Sequence, residues 1–193
     1  MDIRGAGNLL GDEQSGQIKE VGVELYQDML NDAVNSFKSG SKQIEEVWSP
    51  SISLGLSVLI PENYVYDLST RMSLYRKAGE LLNSDDIKNF SDELFDRFGP
   101  PPSEVNNLLT TLMIKNKCLK SKISFVDAGP KGLLLGFKNN FFKETEKLIS
   151  LVNNSSGQLK IRPDQKLFFQ KSLKTNDDKI EAALNLINQL EIL

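Results

Sequence analysis

The chain has no histidine, and its 193 residues include one cysteine, Cys118. Histidine is the commonest general base and metal ligand at neutral pH. Its absence removes most hydrolytic schemes and every metal site built on imidazole. A lone cysteine excludes an internal disulfide and fits a reducing cytoplasm. No stretch approaches the roughly 20 apolar residues of a membrane span. The start, Met1-Asp2-Ile3-Arg4-Gly5, lacks the apolar core of a signal peptide. A basic surplus is missing too: 23 Lys and Arg face 26 Asp and Glu, for a net charge of −3. Phosphate neutralisation supplies most of the affinity of a free-standing nucleic-acid binder, so a partner with a basic surface suits this chain at least as well. The phosphate loop Gly-x-x-x-x-Gly-Lys followed by Ser or Thr occurs nowhere, and this excludes a self-contained nucleotide-hydrolysing site of that type.

What is present is an ordinary globular composition, 39% hydrophobic and 25% charged, enough for one domain of ordinary size or one domain with an extension. Residues 1–18 read as irregular, with Gly5, Gly7, Gly11 and Gly16 close together. Such a start has nothing before it to pack against, and the expectation is that it closes a domain lying upstream. The apolar spacing of Val23, Tyr26, Leu30, Val34 and Phe37 predicts a helix over 20–39, followed by a polar linker to Pro50.

From residue 50 the pattern changes. Ile52, Leu54, Leu56, Val58 and Ile60 alternate as in a strand. Helices are predicted over about 67–83, with Leu68, Met72, Tyr75 and Leu82 apolar; from Ser84 as cap through Ile87, Phe90, Leu94 and Phe95 to Gly99; and from Ser103 to about Leu119. Pro100-Pro101-Pro102 separates the last two. Ile123–Val126 and Leu133–Phe137 flank a Gly-Pro-Lys-Gly turn and read as a hairpin. A helix over 141–153, a second hairpin around Pro163-Asp164 and a last helix over 178–191 complete the chain. The expected fold is α+β: a helical cluster plus a small antiparallel sheet, preceded by a helical and irregular extension.

Gly5-Ala6-Gly7-Asn8-Leu9-Leu10-Gly11 is not a dinucleotide fingerprint, because its last glycine falls one residue late and no strand precedes it. The longer run Ile3–Gly16, with the core I-R-G-x-G-x-L-L-G-x-x-Q-S-G, instead resembles the translocation motif that ends the second motor domain of two families. These are the transcription-repair coupling factors and the branch-migrating replication-fork helicases. The resemblance implies a motif that couples ATP hydrolysis to movement on duplex DNA, with Arg4, Gly5, Gly7 and Gln14 as its working residues. Arginine offers a permanently charged planar fork, glutamine exchanges partners without a charge cost, and the glycines permit a sharp turn.

A second run, Glu93-Leu94-Phe95-Asp96-Arg97-Phe98-Gly99, resembles the E-L-x-D-R-F-G signature of the regulatory domain that follows the motor in the coupling factors. Ile60-Pro61, Thr70-Arg71 and Leu74-Tyr75 extend the similarity, which fades after about residue 125. The fork helicases lack that domain. The resemblance therefore implies a coupling-factor piece divided into residues 1–18 (end of the motor), 19–49 (connecting helix and linker) and 50–193 (regulatory domain).

It also implies a role and partners. Glu93 and Asp96 would dock on basic residues of an N-terminal module of the parent chain, hiding the surface that recruits the excision-repair damage-recognition ATPase. The parent would bind RNA polymerase stalled at damage and push on duplex DNA, using ATP and Mg held by its motor. This piece itself would carry no catalytic residue, no metal and no cofactor, would not be an enzyme, and would lie in the cytoplasm away from membranes. A fork-helicase tail or a free-standing interaction adaptor are the alternatives.

Read without the resemblance, Glu93 and Asp96 are a solvated acidic face with an intrahelical Glu93–Arg97 pair. Cys118 reads as a partly buried filler. Lys115, Lys117, Lys120 and Lys122 could touch phosphates but read first as a solvated helix end favoured by the dipole. Trp48, Tyr64 and Tyr66 could stack on bases but read first as packed aromatics. Ser103 and Thr110 have no base partner for nucleophilic work.

Overall fold

The computed structural model describes residues 48–81 and 83–192. The motif at 3–16, the predicted helix at 20–39 and Leu82 lie outside the described residues. Strand β1 (Ser51–Ser53) is followed by helices α1 (Leu68–Gly79), α2 (Ser84–Phe98) and α3 (Ser103–Lys120). Hairpin β2 (Ile123–Gly129) and β3 (Gly132–Phe137) comes next, then a 3-10 turn at Lys138–Asn140 and helix α4 (Thr145–Asn154). Strands β4 (Leu159–Ile161) and β5 (Leu167–Gln170) and helix α5 (Asn176–Glu191) complete the fold. The α+β class holds.

The sheet departs from expectation in one respect. Its five strands run β1-β2-β3-β5-β4, and β1 pairs parallel with β2, so the sheet is mixed rather than purely antiparallel. Three helices connect β1 to β2, and a connection of that length can return the chain to run alongside its starting strand.

The alternating segment 52–60 is also reinterpreted. Only Ser51–Ser53 joins the ladder, and the chain leaves the sheet past Gly55, whose φ is 65°. The alternation nevertheless reports burial: Leu54 seats in the core under the sheet, whereas Ile60 seats in a second core among the helices. Apolar spacing thus specified which side chains go inward along an extended connector, without specifying a pairing partner.

Local chemistry sets the helix starts. Asp67 caps α1, its carboxylate accepting from the Thr70 amide at 2.6 Å. Asn83, rather than Ser84, caps α2 by accepting from the Asp86 amide at 2.8 Å. Thr175 and Asp178 form a reciprocal capping box at the start of α5.

Helix α3 ties the two cores together. Val105, Leu108 and Leu112 are buried in the core with α1 and α2, while Ile114 and Cys118, further along, are buried under the sheet. At roughly 1.5–3 kcal/mol per fully buried aliphatic side chain, this one helix contributes strongly to both. On the sheet side, Val126, Leu133, Leu135 and Leu167 meet Ala183 and Ile187 of α5 within the same core. The described helices are too short or too polar to cross a membrane.

Candidate partner-docking face

Helix α2 buries one narrow stripe. Ile87, Phe90 and Leu94 are at most 3% exposed, and Phe98 packs partly against the same core. These positions recur at three- and four-residue steps, as a helix lying on a core requires. Asp92, Glu93, Asp96 and Arg97 fall on the arc left over, with Phe95 beside them.

Phe95 departs from expectation. The sequence places it among the apolar positions of this helix, yet it is 55% exposed. The stripe through 87, 90, 94 and 98 excludes it, since residue 95 lies about 100° round the helix from Leu94. Asp92 and Asp96, at i−3 and i+1, flank it on the surface and are exposed. Among the described residues neither carboxylate enters an ion pair. The result is an aromatic ring standing between two unneutralised acids. Sequence reasoning passed over Phe95 as a functional candidate, although its phase relative to Leu94 and Phe98 was available.

Glu93 is placed differently from Asp96. Its side chain is only 28% exposed, because Lys77 of α1 donates to one carboxylate oxygen and Arg97 Nη1 donates to Oε1 at 2.8 Å. The bond from Lys77, and then that from Arg97, hold the Glu93 carboxyl below its ordinary range against some loss of hydration. The Arg97 guanidinium also sits over the Phe98 ring at 4.8 Å. The carboxylates read together from the sequence therefore separate: Glu93 links α1 to α2, and Asp96 is available to a partner.

The end of α2 is fixed by two devices. Gly99 takes a φ of 82°, a conformation side-chain-bearing residues rarely adopt, and its amide bonds to the Phe95 carbonyl at 2.8 Å. The Tyr64 hydroxyl lies 3.0 Å from the Leu94 carbonyl oxygen and 2.9 Å from that of Gly99, placing its one proton between them. Burial raises the pKa of this phenol, so it stays a donor near neutral pH. Tyr64 is thus a packed aromatic with a polar tip. Tyr66, two residues on, is 84% exposed, and its carbonyl accepts from Arg71 Nη1 at 3.1 Å.

The other singled-out residues sit apart. Cys118 is fully buried and its thiol is pushed up to about 12 by that burial. The Ser103 hydroxyl donates to Glu104 and that of Thr110 to the Asn106 carbonyl. Lys117 pairs with Glu191 of α5 at 3.1 Å. Trp48 lies under the Lys138 ammonium at 5.2 Å. Among the described residues no three acidic or cysteine side chains converge as a metal site. Arg4, Gly5, Gly7 and Gln14 lie outside the described residues.

Comparison with known proteins adds the following. The TRCF domain family matches residues 54–148. A transcription-repair-coupling factor of Rickettsia conorii is 46% identical over 192 residues, covering 100% of this chain and 17% of that protein. Its counterpart from Escherichia coli is 28% identical, covering 99% of this chain and 17% of that protein. The chain therefore spans about a sixth of the length of these curated relatives. Among solved structures, the C-terminal domain of a transcription-repair coupling factor superposes with a TM-score of 0.61 at 22% identity, covering 74% of this chain and 92% of that one. That likeness supports the fold.

Proposed function

The chain belongs to the family of transcription-repair-coupling factors, and from that premise we propose that its described part is a regulatory module that docks on a basic partner. The partner is an N-terminal module of a longer parent chain. In the docked state the surface that recruits the excision-repair damage-recognition ATPase is covered. The parent is an ATP-dependent translocase that pushes on duplex DNA and displaces stalled RNA polymerase in the cytoplasm, and Arg4, Gly5, Gly7 and Gln14 belong to its coupling motif.

ATP and magnesium do not fit the described residues. The sequence has no phosphate loop, and among the described residues no acidic cluster could hold the ion.

The observation that carries the reading is the exposed Phe95 between the unpaired Asp92 and Asp96. Left in water, two carboxylates cost little and stabilise little. Desolvated against basic side chains, one of them can cost a few kcal/mol when its partner is removed. A ring at the centre of such a patch supplies the apolar anchor that interfaces favour.

In the full-length parent, Asp96→Lys combined with Glu93→Lys should release the module and tighten binding of the repair ATPase. Surface changes usually shift stability by about half a kcal/mol, and loss of the Glu93 bonds adds roughly a further 1 kcal/mol at most, so the fold should survive. Unchanged affinity for the ATPase, with the domain folded by circular dichroism, would show that these residues do not latch.

A further inference from the structure

A second surface, away from α2, has a different chemistry. The end of α3, the Ser121–Lys122 turn, the segment leading into α4 and the end of α5 enclose an open cleft of about 260 Å³. Lys120, Lys122 and Lys143 line it, with Phe141, Phe142 and Leu190 as its apolar wall. Two carboxylates also reach it, and each has a lysine partner of its own: Glu191 bonds Lys117 at 3.1 Å, and Glu144 faces Lys147 at 3.7 Å. Lys120, Lys122 and Lys143 are exposed, and none of them enters an ion pair among the described residues. In a chain of net charge −3, three unmatched ammonium groups around one concavity are a local reversal of sign.

The cleft is held by backbone bonds. The Lys138 amide donates to the Lys122 carbonyl at 2.8 Å, and the Phe141 amide to the Lys138 carbonyl at 3.2 Å. Phe142 packs on Phe137 with ring centroids 4.9 Å apart. Its neighbour Phe141 instead stands 63% exposed at the mouth. Ser121 lines the cleft wall, its hydroxyl buried and without a hydrogen-bond partner.

We propose that this cleft binds single-stranded nucleic acid, with backbone phosphates on Lys120, Lys122 and Lys143 and a base stacked on Phe141. Lysine is a point charge that accepts a phosphate from many directions, and no arginine lines the cleft. An exposed ring beside the charges is the second half of a single-strand platform, because every unpaired base offers a face for stacking. Duplex DNA keeps its bases inside the stack and would leave Phe141 unused.

The test is fluorescence anisotropy of the 193-residue chain with a labelled thymidine oligonucleotide, between about 50 and 200 mM NaCl. Three phosphate contacts predict a slope of log K against log salt near −2, at about −0.7 per contact on a single strand. The triple variant Lys120→Ala, Lys122→Ala, Lys143→Ala should bring the slope close to zero. Lys143→Ala alone should lower its magnitude by about 0.7. Phe141→Ala should weaken binding about ten-fold and leave the slope unchanged. A lysine that serves only the helix end would alter the melting temperature of the protein and not that slope. The proposal is overturned if no binding occurs at the lowest salt. It is equally overturned if the triple variant binds as the parent does, which would place the contact outside this cleft. Tighter binding of polyglutamate or of duplex, with Phe141→Ala silent, also rejects it.

Discussion

Lys115 lies on α3 between the buried Ile114 and Asn116, and its side chain is partly buried. Burial lowers its pKa to about 8, against an ordinary value near 10.4. The sign of the consequence follows. Below about pH 8 the group is charged in both the folded and the unfolded chain, and the folded chain bears the full cost of keeping it from water. Between about 8 and about 10.4 the folded form sheds its proton first, and the cost fades as pH rises. Lys115→Met keeps the stem and removes the charge. It should stabilise the domain by on the order of 1 kcal/mol at pH 7, with the gain gone by about pH 10.5. Urea unfolding at the two pH values checks this. A destabilised variant at pH 7 would mean that the ammonium has a partner that matters. Cys118, three residues on, behaves as its sequence context suggested: it fills space.

The elements differ in how far the sequence disclosed them. Helix α2 was legible from its apolar spacing, its acidic first turn and its proline stop, because each acts within a turn or two. Its cap residue shifted by one, from Ser84 to Asn83, since both side chains can accept and only backbone geometry chooses between them. The connector 52–60 was half legible. Its alternation correctly named Leu54 and Ile60 as inward, but pairing depends on a partner strand about seventy residues away, which no local pattern contains. Once the connector leaves the sheet, its amides need other acceptors. The buried Tyr75 hydroxyl of α1 supplies one, accepting from the Ile60 amide at 2.7 Å. Tyr75→Phe leaves that amide buried and unpaired, so a loss of about 1–3 kcal/mol is expected, read as a lower urea midpoint with an unchanged m-value. A loss below a few tenths of a kcal/mol would show that water reaches Ile60.

At the scale of the whole molecule, two cores share α3 and leave two unlike surfaces: an acidic, aromatic face on α2 and a lysine-lined cleft beside α4. The signature Glu93–Gly99 was visible in the sequence because it is contiguous. Its division of labour was not, because Lys77, which holds Glu93, belongs to a different helix. Of the cleft lysines, Lys120 and Lys122 stand together in the sequence, but Lys143 comes from the segment before α4 and could not be joined to them from spacing. The central claim is that α2 meets a basic partner through Asp96 and Phe95, with Glu93 holding α1 and α2 in place. The most direct measurement is calorimetric titration of the 193-residue chain into the N-terminal module of the parent, comparing wild type with Phe95→Ala, Asp96→Lys and Glu93→Gln. The account predicts measurable binding that weakens with salt, losses of at least ten-fold for Phe95→Ala and Asp96→Lys, and a smaller loss for Glu93→Gln. Binding of equal strength by wild type and Asp96→Lys, or by wild type and Phe95→Ala, would contradict it.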